Sequence, residues 1–340
     1  MAMVKAFTYG LGTYEVAKLL EEHNIDYLGV ANIYEGMEMR NAGIYTPILV
    51  MKPEVDSFDL VIENKLTPVI FSLYSLEKLL HTLKEYPVFS ASNPIEIHLK
   101  FDTGMHRIGF DESDLKELLT LLSKYNHIKI AGVLSHLAAS EDASEDDFTI
   151  NQLAQFEKIC TQVEKHLGYT FLKHILNSNG IIRFPNYQYD MVRLGIGLYG
   201  VCEDEHIQSK LLPVSTLYSK ISQIKTIKKG DSIGYNRKHI ARNSMQIATI
   251  PLGYADGLNR RLGCGNWSMI VNNKPAPIVG NVCMDMVMID VTNINCKEGD
   301  LAFVFSKDNP IQEMSKVLGT IPYEIFTSYS PRVKREFSYS

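Results

Sequence analysis

The sequence predicts an α/β chain: a (β/α)8 barrel of the TIM type over residues 1–210, followed by a mostly-β domain over residues 211–340. Two observations carry this expectation. Short apolar runs alternate with longer amphipathic stretches through the first two-thirds, the signature of parallel βα units. After about Leu211 the amphipathic stretches give way to closely spaced β-type runs separated by turn signals. At 340 residues and 45% hydrophobic composition the chain can bury a core of that size.

Eight candidate strands occur in the first region: Met3–Phe7, Tyr27–Ala31, Pro47–Val50, Pro68–Ser72, Ile95–Phe101, Ile128–Ser135, His174–Asn177 and Met191–Gly195. Helical spacing of apolar residues marks Tyr14–His23, Leu76–Tyr86, Glu112–Tyr125 and Asp146–Leu167 between them. Eight such units favour a closed barrel over an open sheet. The first strand begins almost at residue 1, so no helix leads into it. In the second region the β-type runs are Val214–Ile224, Met245–Ile250, Ser268–Val271, Pro277–Val279, Met286–Val291 and Leu301–Phe305, interrupted by one helical stretch, Ile311–Leu318.

Composition removes several functions. A net charge of −5 without a basic stripe argues against nucleic acid and anionic membrane surfaces as partners. No apolar run approaches the roughly 18 residues of a membrane span, and no signal peptide is evident. Five cysteines without a CxxC pair indicate neither a disulfide framework nor a structural metal site, and suit thiols in a reducing cytoplasm. No metal is expected.

A barrel of this type carries its chemistry at the C-terminal ends of its strands. There the sequence places Lys5 and Tyr9 (strand one), Lys100, Asp102 and Arg107 (strand five), His136 (strand six), Ser178 (strand seven), and Arg193, Gly195 and Ile196 (strand eight). Taken singly, each has a plain structural reading: a solvated rim lysine, a satisfied core histidine, an ion-paired arginine, a tight turn. Their joint placement on one rim is what points to a site. Small residues after strands seven and eight let backbone amides approach a phosphate. A desolvated lysine can form a Schiff base with an aldehyde cofactor. A phosphate handle beside a lysine is the arrangement that pyridoxal phosphate requires. In the second region Gly253-Tyr254-Ala255-Asp256-Gly257 frames a tyrosine in a turn. Lys5 and Tyr254 would serve as two proton-transfer groups on opposite faces of one carbon.

These segments resemble the alanine racemase family of pyridoxal-phosphate enzymes. The resemblance is carried, in order along the chain, by Val4-Lys5-Ala6-Phe7-Thr8-Tyr9-Gly10, by Lys100 through Gly109, by Arg193 through Gly200, by Gly253 through Gly257, and by Cys283-Met284-Asp285. It implies a barrel plus β domain, a head-to-tail homodimer with shared active sites, pyridoxal 5'-phosphate as cofactor, and interconversion of L- and D-alanine to supply cell-wall peptidoglycan. It implies Lys5 as the cofactor lysine and one base, and Tyr254 as the opposing base on the partner's cofactor. Arg193 would face the pyridine nitrogen, and His136 would link Arg193 to Tyr254, the positive pair lowering the tyrosine's pKa. Arg107 and the Met284 N–H would contact the substrate carboxylate, Arg107 also the cofactor. Tyr9, Ser178, Gly195, Ile196 and Tyr329 would form the phosphate cradle. Lys100 stands where some members carry a carbamylated lysine.

The chain departs from the family pattern at three places. Pro331 fills the slot of a late cradle tyrosine, which leaves Tyr329 as the substitute; Asn281 replaces a usual arginine, and Glu141 a usual aspartate, near the substrate access channel. The family's lead before the lysine strand is short here, and some members follow a fused ligase, so a racemase part of a longer product fits as well. Serine racemases share the same motifs, and a non-catalytic barrel that binds the cofactor is the third reading.

Overall fold

The computed structural model describes residues 1–338. The chain divides into two compact units: Met1–Thr8, Gly12–Leu198 and Cys202–Ser209 in the first, and Tyr9–Leu11, Tyr199–Val201 and the chain from Lys210 onward in the second.

In the first unit seven parallel strands curl in sequence order: β1 (Ala2–Met3), β2 (Leu28–Val30), β3 (Ile48–Val50), β4 (Thr67–Ile70), β5 (Ile95–Lys100), β6 (Ile128–Leu134) and β7 (Leu172–His174). The expected eighth strand is reduced to a single bridge. Leu194 pairs in parallel with Ala2. The Met3 N–H donates to the Leu194 carbonyl at 2.9 Å, the Leu194 N–H to the Met1 carbonyl at 3.0 Å, and the Arg193 N–H to the Leu176 carbonyl at 3.0 Å. These bonds to both flanking strands close the ring. Helices follow the strands, among them Thr13–Glu22, Ile33–Asn41, Phe58–Glu63, Leu73–Thr82, Leu115–Leu122 and the long Asp146–Leu167. Ser72 opens Leu73–Thr82 with a capping box, and Gly168 ends Asp146–Leu167 in the left-handed conformation at φ 73°.

The alternation of strand side chains separates two cores. Ile48, Val50, Ile97, Leu99, Ile130 and Val133 pack outward against helix residues such as Ile33, Phe58, Leu76, Leu118 and Phe156. The intervening positions of β5, His98 and Lys100, therefore face the barrel interior, and both are buried. Gly132 pairs with His98 across β5 and β6. A Cβ on Gly132 would lie 2.3 Å from the His98 ring, so the imidazole fits only because that position has no side chain.

One expectation fails at the start of the chain. Met3–Phe7 reads as a strand because it is an apolar run whose valine and phenylalanine favour extended backbone. The strand instead ends at Met3, and Ala6, Phe7, Thr8 and Tyr9 all lie in the left-handed region, at φ 54°, 54°, 53° and 52°. Lys5 thus stands at the head of a left-handed turn, not within a strand.

The second unit carries an antiparallel sheet in the order β8-β16-β13-β14-β15-β12-β9 and a two-stranded ribbon, β10-β11. The strands are β8 (Leu217–Lys220), β9 (Gln223–Ile227), β10 (Ser232–Ile233), β11 (His239–Ile240), β12 (Met245–Ile250), β13 (Ser268–Val271), β14 (Lys274–Val279), β15 (Val287–Asp290) and β16 (Leu301–Phe305). The run expected over Val214–Ile224 breaks into β8 and β9 around Ile221-Ser222. Helix Ile311–Leu318 is followed by Pro322–Ser328, which has proline at its start.

Replacing Gly132 by alanine forces the buried His98 ring aside. We expect Gly132→Ala to cost about 1–3 kcal/mol, read as a lowered thermal unfolding midpoint, and an unchanged midpoint would refute the packing account.

Candidate active site

The interior of the barrel is built around a guanidinium. Arg193 is buried and donates to three backbone carbonyls: His174 at 2.8 Å, Ser135 at 2.6 Å and Ile175 at 2.8 Å. It also meets His174 Nδ1 at 2.9 Å and His136 Nδ1 at 3.2 Å. A guanidinium only donates, so both imidazole nitrogens must be acceptors. Each ring then carries its hydrogen on Nε2. For His174 that hydrogen points to His98 Nδ1, 2.9 Å away. His98 Nε2 is buried without a partner among the described residues.

Electrostatics agree with that proton count. Burial, then the Arg193 charge, pulls His98 down to about 3 and His136 and His174 well below the usual histidine range. Burial, with Arg107 next, lowers Arg193 to about 9, so it remains a cation at neutral pH. The family resemblance implies a positively charged histidine–arginine pair. The charge resides on Arg193 alone, and His136 is a neutral ring that presents an Nε2–H.

Lys5 is exposed at the barrel mouth rather than buried, yet its amine is still depressed below the ordinary lysine value, by loss of solvation and then by Arg107, with Arg193 adding to it and Glu35 opposing. Lys100 is buried, and its pKa falls to about 8 through burial and the charges of Arg107 and Arg193. A neutral amine is the form that combines with carbon dioxide, so this position suits carbamylation.

Arg107 sits on the loop after β5. Asp102 organises that loop: its Oδ1 accepts the Gly104 N–H at 2.9 Å and the His106 N–H at 3.0 Å. The Asp102 N–H donates to the Phe110 carbonyl at 2.9 Å, and the Phe110 N–H to the Lys100 carbonyl at 2.8 Å. Across the rim, Ser178 Oγ accepts the amides of Gly195 and Gly197 at 2.9 and 3.3 Å. Ile196 opens a 3-10 turn, Ile196–Tyr199, whose first amides have no partner within the turn.

In the second unit Tyr254 is held against the Cys283–Met284 segment. The Tyr254 N–H donates to the Cys283 carbonyl at 3.0 Å and the Ala255 N–H to the Met284 carbonyl at 2.9 Å. Asp256 Oδ2 closes the turn on the Gly253 N–H at 2.8 Å. Arg332 braces both halves, 3.4 Å from Asp256 and 2.8 Å from Asp285. The Tyr254 and Met284 side chains are left 45% and 53% exposed, which makes a presented surface rather than a core. Tyr9 is buried, its ring 4.5 Å from Tyr199 and 5.9 Å from Tyr323 between centroids. Tyr329, expected in the phosphate cradle, is buried with its ring against Phe305, and the late tyrosine beside Tyr9 is Tyr323. Asn281 is buried too, donating to the Tyr235 carbonyl at 3.0 Å. Glu141 faces Glu203, whose carboxyl is pushed up by burial and by Glu141.

Residues 1–203 match the family profile for the alanine racemase N-terminal domain, and residues 214–337 that for the alanine racemase C-terminal domain. The chain belongs to the alanine racemase family. Among its relatives is alanine racemase 2 of Caldanaerobacter subterraneus subsp. tengcongensis, 38% identical over all of this chain and 88% of that protein. Another is the alanine racemase of Sorangium cellulosum, 36% identical over 98% of this chain and 90% of that protein. A solved alanine racemase of Clostridium difficile 630 superposes with a TM-score of 0.90 at 33% identity, covering 98% of this chain and 87% of that one. None of these three is named as a ligase fusion, so the fused arrangement has no support from them.

The family depends on pyridoxal phosphate, and the residues here fit that group. The donor set offers an amine at Lys5, a hydroxyl at Ser178 and the backbone amide of Ile196, while the Gly195 amide steadies Ser178 Oγ. At Gly197 an added Cβ would close to 3.2 Å on Leu194 and 3.6 Å on Ser178 Oγ, so glycine keeps the cradle open. Arg193 makes these hydrogen bonds to carbonyls and imidazoles through its two terminal nitrogens.

Sequence reasoning missed four residues of this arrangement. His98 and His174 fall in runs that read as strands, and neither Glu35 nor Arg332 lies in a segment that the sequence singles out. The alternation of β5, which puts an imidazole in a barrel interior, was the one signal available.

Lys100 yields a pH dependence. Its folded pKa, near 8, lies below its unfolded value of 10.5, so unfolding takes up a proton between those values and the group's contribution to stability rises with pH across that window. In bicarbonate-free buffer the unfolding free energy of the wild type, measured against Lys100→Met, should climb by up to about 3 kcal/mol from pH 8 to 10.5. A flat difference would show that Lys100 is not titrating as a buried amine.

Proposed function

We propose that this chain is a pyridoxal-phosphate-dependent racemase that interconverts L- and D-alanine by a two-base mechanism. We propose further that it works as a homodimer in which each site takes Tyr254 and Met284 from a second copy. The observation that carries the reading is the Arg193 guanidinium at the base of a mouth that also holds the Lys5 amine. A decarboxylase of the same architecture would set a carboxylate there to strengthen the electron sink. A cation opposes protonation of the ring nitrogen and suits a reaction that only removes and returns one proton.

Bound pyridoxal phosphate supplies the electron sink that makes the α-proton of an amino acid removable. Lys5 holds the cofactor and moves a proton at Nζ on one face of the α-carbon; its lowered pKa brings the neutral amine closer to neutral pH. Tyr254 moves a proton at Oη on the other face. His136 would face it as a neutral Nε2–H donor, locked in that tautomer by Arg193. Arg107 and the Met284 N–H take the substrate carboxylate. Ser178, Ile196 and Tyr9 hold the phosphate, Gly195 acting through the hydrogen bond that its N–H makes to Ser178 Oγ, and Tyr323 rather than Tyr329 lies beside Tyr9.

Alanine is preferred to serine as the substrate because the relatives carry that name. The product would feed cell-wall peptidoglycan. The five free cysteines suit a cytoplasmic setting. No helix of the described residues is long and apolar enough to cross a membrane.

The deciding experiment is a chiral product assay on cofactor-loaded protein with L-alanine and L-serine. D-alanine as the main product is expected, and no racemisation of either would reject the reading. Lys5→Ala should abolish activity together with the visible absorbance of lysine-bound cofactor. Tyr254→Phe should slow proton exchange by about 10²–10⁴-fold from one enantiomer and much less from the other; equal, mild losses in both directions would count against two bases.

A further inference from the structure

We propose that Glu35 is a positioning residue for Lys5, its carboxylate clamping the left-handed turn that presents the amine at the barrel mouth. The inference rests on the role proposed for Lys5.

The turn needs a clamp. Ala6, Phe7, Thr8 and Tyr9 are consecutive non-glycine residues with φ between 52° and 54°, and each such residue costs about 1–2 kcal/mol against the right-handed form. Inside the turn the Thr8 N–H donates to the Val4 carbonyl at 3.1 Å, and the Gly12 N–H to the Phe7 carbonyl at 3.1 Å. The Ala6 N–H, one residue past the lysine, has its acceptor in another element. Glu35 Oε1 takes it at 2.7 Å.

The same carboxylate takes the Ala31 N–H through Oε2, also at 2.7 Å. One side chain thus ties together the chain leaving β1 and the chain leaving β2. Both bonds are charge-assisted, the stronger class of hydrogen bond. Glu35 is itself fixed, in the first turn of helix Ile33–Asn41, where its N–H donates to the capping Asn32 Oδ1 at 3.0 Å. Glu54 holds the adjoining Ile33 N–H at 3.1 Å.

Charge gives the clamp a second effect. Of the groups that act on the Lys5 amine, Arg107 and Arg193 oppose its protonation, and Glu35 favours it. Lys100 is coupled to Lys5 as another like charge, while His136 is neutral. Glu35 is therefore the anion that tempers a cationic mouth.

The test uses the full chain as wild type, Glu35→Gln and Glu35→Asp. Lys5 is labelled with pyridoxal phosphate, trapped by borohydride across a pH series and located by peptide mass spectrometry. Amide hydrogen exchange is followed over residues 4–9. Glu35→Gln keeps the shape but loses the charge and one of the two acceptors. It should move the labelling midpoint to lower pH and speed exchange over residues 4–9 by about tenfold. Glu35→Asp keeps the charge but is a methylene short, so exchange should rise while the midpoint stays near the wild type's. It carries the test alone should Glu35→Gln not fold. Unmoved exchange and an unmoved midpoint, even with a lowered melting temperature, overturn the proposal. Absence of Lys5 labelling in the wild type instead overturns the cofactor role on which it rests.

Discussion

The structure depends on burying one guanidinium. Arg193 lies inside the barrel, where an unpaired cation would be prohibitively costly, and it is tolerated because carbonyls and imidazoles surround it. The carbonyls of Ser135, His174 and Ile175 come from the ends of two neighbouring strands, so the strands must close around the arginine for its hydrogen bonds to exist. Backbone bonds from the Arg193–Leu194 segment to both flanking strands complete the ring at that place. Closure of the fold and satisfaction of the charge are one event.

Much of the chemistry follows from that cation. It fixes the tautomers of His136 and His174, because a group that can only donate turns each facing nitrogen into an acceptor. Burial, with this cation second, keeps the histidines neutral, and the same two causes help to depress the amines of Lys5 and Lys100. The mouth is thus a cluster of cations tempered by few anions, suited to a phosphate and a carboxylate. Glu35 and Asp102 oppose the trend, and both spend their oxygens on backbone amides that shape the loops bearing Lys5 and Arg107. Function on this rim is carried by side chains, and their placement by carboxylate–backbone bonds beneath them.

The second unit works by presentation. Tyr254 and Met284 lie on adjoining turns stitched by main-chain bonds and braced by Arg332 between Asp256 and Asp285. Their exposure supports the role proposed for them at a site on a second copy of the chain. The departures from the family pattern are absorbed locally: Asn281 satisfies the Tyr235 carbonyl, and Tyr329 joins Phe305 in the core while Tyr323 stands by Tyr9.

Residue order alone was enough for the two-part architecture and for nominating candidate residues on the rim. Apolar periodicity is a local property, and the long helix Asp146–Leu167 and strands Met245–Ile250, Ser268–Val271 and Leu301–Phe305 lie where it put them. Motif spacing likewise named Lys5, Arg107, Arg193 and Tyr254, because each sits in a short segment with its own turn signals. Tertiary structure alone decided the rest. Residues 7–9 have extended propensities yet adopt a left-handed turn, at whose head a carboxylate 29 positions away accepts the Ala6 N–H. The neutrality of His136, the imidazole chain through His174 to His98, and the choice between Tyr323 and Tyr329 depend on neighbours distant in sequence. Burial and hydrogen-bond partners set a charge state, and neither is written in the residues next door.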